Sequence, residues 1–206
     1  MTKVKLCGLR TVQDMAYANE ARPDMVGMIL SPGFRRSVPL DIASMMAGAA
    51  DDRLTKVGVF VDQPLEAVVE ASIKVGLDAI QLHGSEDDGY ILELRKTLGV
   101  QIIKVFDISK TGKETIEASS ADMVMIDPGK GSGRMADLSQ LEGLERSFIL
   151  AGGLTPDNVA DAIRRVRPFA VDTSSGVETN GDKDKVKMMR FVKAVREADS
   201  EQRCGL

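Results

Sequence analysis

A chain of 206 residues, 43% hydrophobic and 28% charged, suits one well-cored globular domain and excludes collagen, coiled coil and intrinsic disorder. Its 27 basic and 31 acidic residues leave a net charge of −4, so no broad basic face exists for nucleic acid or an anionic membrane. Trp is absent and aromatics make up 4%, too few for the stacking platforms of single-strand binders.

Short apolar runs recur along the chain at 4–7, 25–30, 57–61, 79–82, 102–106, 123–126, 148–150 and 169–171. None approaches the roughly 20 residues of a membrane span. Stretches with helical spacing lie between them. Ile42, Met45, Met46 and Ala49 form one stripe; Leu65, Val68, Val69 and Ser72 another; Ile91, Leu94 and Leu98 a third; Val159, Ala162, Ile163 and Val166 a fourth. Thr11 and Asp41 have the chemistry of N-caps, and Thr155-Pro156 reads as an N-cap followed by proline at the first helical position.

Eight strand-like runs, each followed by a helical or linking segment, predict a parallel sheet with about 26 residues per unit. Right-handed crossovers without a compositional break favour a single (β/α)₈ TIM barrel over residues 1–206. An open doubly wound sheet is the alternative. The stretch 129–137 reads as the loosest segment, and 198–206 reads as a frayed tail. Cys7 and Cys204 are too few for a disulfide framework and wrongly spaced for a metal site, which predicts a reducing cytoplasm and no metal.

In such a barrel the chemistry collects at the carboxyl ends of the strands. Gly152-Gly153 follows the seventh run, and Asp172-Thr173-Ser174-Ser175-Gly176 closes the eighth. Glycines admit close backbone approach and serine hydroxyls add donors, so these two loops predict a phosphate cradle. Cys7 ends the first run. There it is either a small buried hydrophobe or a thiol whose pKa falls toward neutrality beside an anion site.

Asp127 ends the sixth run ahead of Pro128, as a turn initiator or as a proton donor. Asp62 and Asp107 read as turn or cap residues. Arg36, in the second loop, either clamps a carboxylate through its planar fork or is a solvated loop arginine. His83, the only histidine, lacks neighbours for a metal site and carries no catalytic expectation. Lys5 shares strand parity with Cys7 and, like Lys104, is expected to pair with an acid if it points inward.

In this order the residues resemble the phosphoribosylanthranilate isomerase family, (β/α)₈ barrels of tryptophan biosynthesis. The likeness rests on Lys5-Leu6-Cys7-Gly8-Leu9; Ser31-Pro32 through Arg35-Arg36-Ser37; Val57-Gly58-Val59-Phe60-Val61; and Gln81-Leu82-His83-Gly84. It continues from Gly152-Gly153-Leu154 and Asn158-Val159 to Val171 through Glu178. The resemblance implies an Amadori rearrangement of N-(5′-phosphoribosyl)anthranilate, with Asp127 as general acid and Cys7 as general base. It also implies Arg36 on the anthranilate, Gly152, Gly153, Ser174, Ser175 and Gly176 around phosphate, and Asp172 at sugar hydroxyls. It implies no cofactor, a small-molecule phosphorylated sugar-anthranilate as the partner, and a cytoplasmic monomer or homodimer.

The chain departs from the family in a shorter loop at 128–135 without an aromatic, and in Arg10 where threonine is frequent. A carbon–carbon-forming barrel of the same pathway would need a lysine at a strand end. A bifunctional sugar isomerase would carry an aspartate in place of Cys7. A non-enzymatic phosphosugar binder would dispense with both Cys7 and Asp127.

Overall fold

Eight parallel strands close on themselves in chain order, with β1 hydrogen-bonded to β8; this rules out the open sheet. The structure, a computed structural model, describes residues 1–127 and 138–204. The strands are β1 Lys3–Cys7, β2 Met25–Ile29, β3 Thr55–Phe60, β4 Ala79–Leu82, β5 Gln101–Phe106, β6 Met123–Ile126, β7 Phe148–Leu150 and β8 Ala170–Thr173. Helices α1 Val12–Ala21, α2 Leu40–Gly48, α3 Leu65–Val75, α4 Asp88–Thr97, α5 Lys113–Ala118, α6 Val159–Val166 and α7 Lys185–Cys204 surround them. A 3₁₀ turn, Leu138–Leu141, precedes β7, and a small hairpin of β9 Glu178–Thr179 and β10 Asp182–Lys183 precedes α7.

The period of two in each strand builds two cores. Val4, Leu6, Ile80, Leu82, Val124 and Ile126 face the helices. Met25, Val57, Ala79, Ile103, Met125, Ile149 and Ala170 fill the barrel. Burying each large aliphatic side chain contributes about 1.5–3 kcal/mol. The same alternation decides which residues reach the mouth: β1 runs Lys5, Cys7 on its inner parity, and β4 runs Ala79, Gln81.

Local chemistry sets the helix ends. Thr11 caps α1 in a reciprocal capping box with Asp14. Asp87 accepts from Tyr90 N to cap α4, and α3 stops at Gly76 in the left-handed region. On α6, Val159, Ala162 and Ile163 are buried while Asp161, Arg164 and Arg165 face out.

Several sequence expectations are corrected. In α2 the buried positions are Ala43 and Met46, whereas Ile42 and Met45 are 38% and 61% exposed; helical spacing alone does not say which of two adjacent stripes meets the barrel. Asp41 is not a cap but sits in the first turn of α2, paired with Lys74. Pro156 lies in a turn, and α6 begins three residues later. Phe169 precedes β8 and is exposed.

The expected fraying from Ala198 is not found where the chain packs. Ala198 and Asp199 are buried in α7. Asp199 accepts from Thr2 N and Oγ1 at 2.7 and 2.8 Å, and Arg196 donates to Thr2 O. The loop expectations at 128–137, and the last two residues, lie outside the described residues.

Candidate active site

The carboxyl ends of the strands surround a cavity of about 400 Å³ bordered by Cys7, Arg36, Gln81, His83, Asp127, Asp172 and Ser174. A smaller recess opens beside it, lined by Gly152, Gly153, Ser175 and Gly176 and sharing Asp127, Asp172 and Ser174. Every site residue expected from the sequence therefore borders one continuous mouth, although those residues come from five separate segments of the chain.

The recess is shaped by backbone. Gly152 and Gly153 have φ of 88° and 65°, a conformation that side-chain-bearing residues rarely adopt. A Cβ on Gly176 would lie 1.9 Å from Leu154 O, so only glycine lets the β8 loop approach the β7 loop. Thr173 Oγ1 donates to that same carbonyl at 2.7 Å, and Asn158 donates to Gly153 O. The two loops are thereby locked to each other.

Cys7 is buried beneath this rim, beside Lys5. The Lys5 ammonium is 0% exposed and 2.8 Å from Asp172 Oδ1. Burial works to lower its pKa, but the Asp172 carboxylate and Cys7 outweigh that and hold it above the ordinary lysine range. For Cys7 burial dominates and pushes the thiol up, with Asp172 adding to it; Lys5 and Lys183 pull the other way. The lowered thiol pKa expected from the sequence is thus corrected, because desolvation of the thiolate exceeds the attraction of two nearby ammonium groups.

Arg36 does not float in solvent. Its Nε and Nη2 donate to Glu178 Oε1 and Oε2 at 2.6 and 3.0 Å. Arg35 adds a bond to Glu178 at 2.9 Å. Lys183, whose side chain is almost fully enclosed, donates to Glu178 Oε1, to Ser174 O and to Ser174 Oγ. Burial raises the Glu178 carboxyl, but Arg36, Lys183 and Arg35 prevail and bring it down to about 2. Three cations on one carboxylate leave a net positive corner, and Arg36 borders the cavity there.

Some functional neighbours had little sequence signal. Glu178 and Lys183 meet Arg36 only through the β9–β10 hairpin, which no periodicity announces. His83, passed over in the sequence, stands with Nε2 3.7 Å from Asp127 Oδ2; inner parity with Gln81 on β4 was the available clue. Lys5 pairs with an acid as expected. Lys104 also does, but it points outward to Glu86 and Gly84 O rather than into the barrel. Asp107 accepts from Ser109 in a turn, as expected, whereas Asp62 accepts from Ser85 across 23 positions and ties the loop after β3 to the loop after β4 instead of closing a local turn. Among the described residues, no group of three or more His, Cys, Asp or Glu side chains could hold a metal ion, and no helix is long and apolar enough to cross a membrane.

The family model described as N-(5′-phosphoribosyl)anthranilate (PRA) isomerase matches residues 4–194. The N-(5′-phosphoribosyl)anthranilate isomerase of Caldanaerobacter subterraneus is 39% identical over 201 residues, covering 95% of this chain and 98% of that protein. The crystal structure of the Thermus thermophilus phosphoribosyl anthranilate isomerase superposes with a TM-score of 0.86 at 29% identity, over 95% of this chain and 99% of that one. A further isomerase structure, in complex with reduced 1-(o-carboxyphenylamino)-1-deoxyribulose 5-phosphate, gives 0.84 at 29% identity over 96% and 100%. A barrel whose mouth collects these residues, and a likeness that runs almost end to end, place the chain in the N-(5′-phosphoribosyl)anthranilate isomerase family.

Proposed function

We propose that this chain converts N-(5′-phosphoribosyl)anthranilate to 1-(2-carboxyphenylamino)-1-deoxyribulose 5-phosphate, an aldose–ketose isomerisation of tryptophan biosynthesis, with Asp127 and Cys7 as its acid and base. The observation that carries the reading is the shared cavity: Cys7, Arg36 and Asp127 border one space, and the twin-glycine and twin-serine turns adjoin it. A relative holding a reduced form of the product supports the ligand class.

In this reading the phosphate enters the recess formed by Gly152, Gly153, Ser174, Ser175 and Gly176. Fixed backbone dipoles offer positive potential there without a basic patch. Asp172 contacts sugar hydroxyls, and the Arg36 guanidinium, which borders the cavity, takes the anthranilate carboxylate. Asp127 gives its proton to the ribose ring oxygen; the C1′–O bond breaks, and the nitrogen lone pair forms an iminium ion. The Cys7 thiolate then removes the C2′ proton, the electron pair moves to neutralise the iminium, and the resulting enolamine ketonises.

Positioned proton transfer of this kind is worth about 10²–10⁴-fold per group. All these residues belong to one chain, so a monomer and a homodimer would each carry complete sites. A buried free thiol used as a base fits the reducing cytoplasm. The direct test is a coupled assay that follows the loss of anthranilate-type fluorescence with the wild type and Cys7→Ser. Turnover that survives in Cys7→Ser would remove the base from this scheme.

A further inference from the structure

Gln81, on β4, and His83, at its tip, both border the cavity, and the chemistry above uses neither. Gln81 is 2% exposed, and its amide nitrogen lies 3.4 Å from His83 Nδ1. Its carbonyl oxygen is buried without a hydrogen-bond partner among the described residues. Natural interiors seldom leave such an acceptor unpaired, and this one borders the cavity, where a bound ligand can supply the donor.

His83 turns its other nitrogen to Asp127, at 3.7 Å. Burial lowers the imidazole pKa against the pull of Asp127 and Asp172, and Lys5 and Lys104 lower it further. The ring is therefore neutral and carries one N–H. With the Gln81 amide donating to Nδ1, that hydrogen sits on Nε2 and faces the acid.

We propose that Gln81 and His83 are positioning residues for Asp127, with Gln81 also a substrate ligand. The Gln81 amide fixes the imidazole tautomer, and His83 Nε2–H donates to Asp127 Oδ2 as the site closes on substrate. The carboxylic proton is then carried on Oδ1. Gln81 Oε1 accepts a hydrogen bond from a hydroxyl or N–H of the reacting segment. When Asp127 releases its proton to the ring oxygen, the carboxylate left behind already has an N–H donor. This inference rests on the reading of Asp127 as the general acid.

The test is steady-state kinetics on the full chain with phosphoribosylanthranilate. His83→Asn, which withdraws the Nε2 donor, is expected to lower kcat about 10- to 100-fold with little change in KM. His83→Gln, whose amide N–H reaches toward the same place, should recover part of that loss. Gln81→Met should lower kcat and also raise KM. In an Asp127→Asn background, His83→Asn should cause no further loss.

A kcat for His83→Asn within roughly twofold of wild type would overturn the relay. So would an equal loss with and without Asp127, or His83→Gln no better than His83→Asn. Should His83→Asn fail to fold, Gln81→Met and His83→Gln decide the matter by the same kcat and KM criteria. If Asp127→Asn alone keeps full turnover, the acid assignment itself fails, a result distinct from failure of the relay.

Discussion

A methyl group on Gly27 would lie 2.8 Å from the Cys7 sulfur. β1 and β2 pair with Cys7 beside Gly27, and the same methyl would lie 3.1 Å from Lys5 Nζ. The missing side chain on β2 is the space that the thiol and the ammonium occupy together.

Gly27→Ala should therefore disturb the base directly. Crowding at this depth costs about 1–3 kcal/mol, and the thiol must swing away from its place over the cavity. A lower melting temperature together with a fall in kcat well beyond tenfold is expected. Equal kcat in both proteins would show that the sulfur's position does not matter.

Cys7→Ser should retain the fold and lose about 10²–10⁴-fold in kcat. Because burial raises the wild-type thiol above its ordinary range, the thiolate fraction is small at neutral pH and grows as pH rises. Alkylation of Cys7 by iodoacetamide should therefore climb from pH 7 through pH 9 (about the ordinary thiol range) without levelling off, whereas kcat also requires the proton on Asp127 and is not expected to follow the thiolate alone. A plateau reached below pH 7 would contradict the desolvated thiol.

Asp127→Asn places an amide where a proton donor is needed, and a similar loss in kcat is expected at unchanged melting temperature. A substrate analogue whose ring is already open should bind the variant as well as the wild type. Residual activity within a few-fold of normal would assign the acid elsewhere.

Arg36→Ala removes the donor proposed for the anthranilate carboxylate, so KM should rise roughly 10- to 100-fold, with a smaller change in kcat. Glu178→Gln acts one step back. It leaves the enclosed Lys183 without its carboxylate and loosens Arg36, so KM should rise and stability should fall by about 3 kcal/mol.

The Glu178 carboxyl, held near 2 in the fold against an ordinary 4.5, contributes stability that is complete above the higher value. That contribution disappears as pH falls toward the lower one. Acid unfolding followed by circular dichroism should show that component in the wild type and not in Glu178→Gln.

Gly176→Ala sets a Cβ against Leu154 O, forcing the β7 and β8 loops apart. Phosphate affinity should suffer most. Inhibition by inorganic phosphate, measured against the wild type, should weaken at least as much as substrate binding.

Much of this architecture was legible in the residues because each strand is both short and buried on two faces, which leaves a nearly continuous apolar run. All eight runs are strands, and their ends carry Cys7, Asp127 and the serine turn to one rim. What local pattern could not carry was pairing across the chain. Arg36 meets Glu178 across 142 positions, and no spacing rule links charges that far apart. The Gln81–His83 pair was hidden differently: inner parity put both at the mouth, but only the third dimension brings Asp127 from β6 alongside. The misassigned stripe of Ile42 and Met45 shows the converse limit, since apolar periodicity identifies a helix more securely than the side it buries.

The clasp of Thr2 on Asp199 beneath the barrel makes positions 197 apart in sequence into direct neighbours. A short linker could bridge that gap, and new ends opened among the helix-to-strand loops on the same underside would leave every strand tip untouched. The catalytic rim and the connectivity of the chain are thus separable, and a circularly permuted version should turn over substrate from an unaltered mouth.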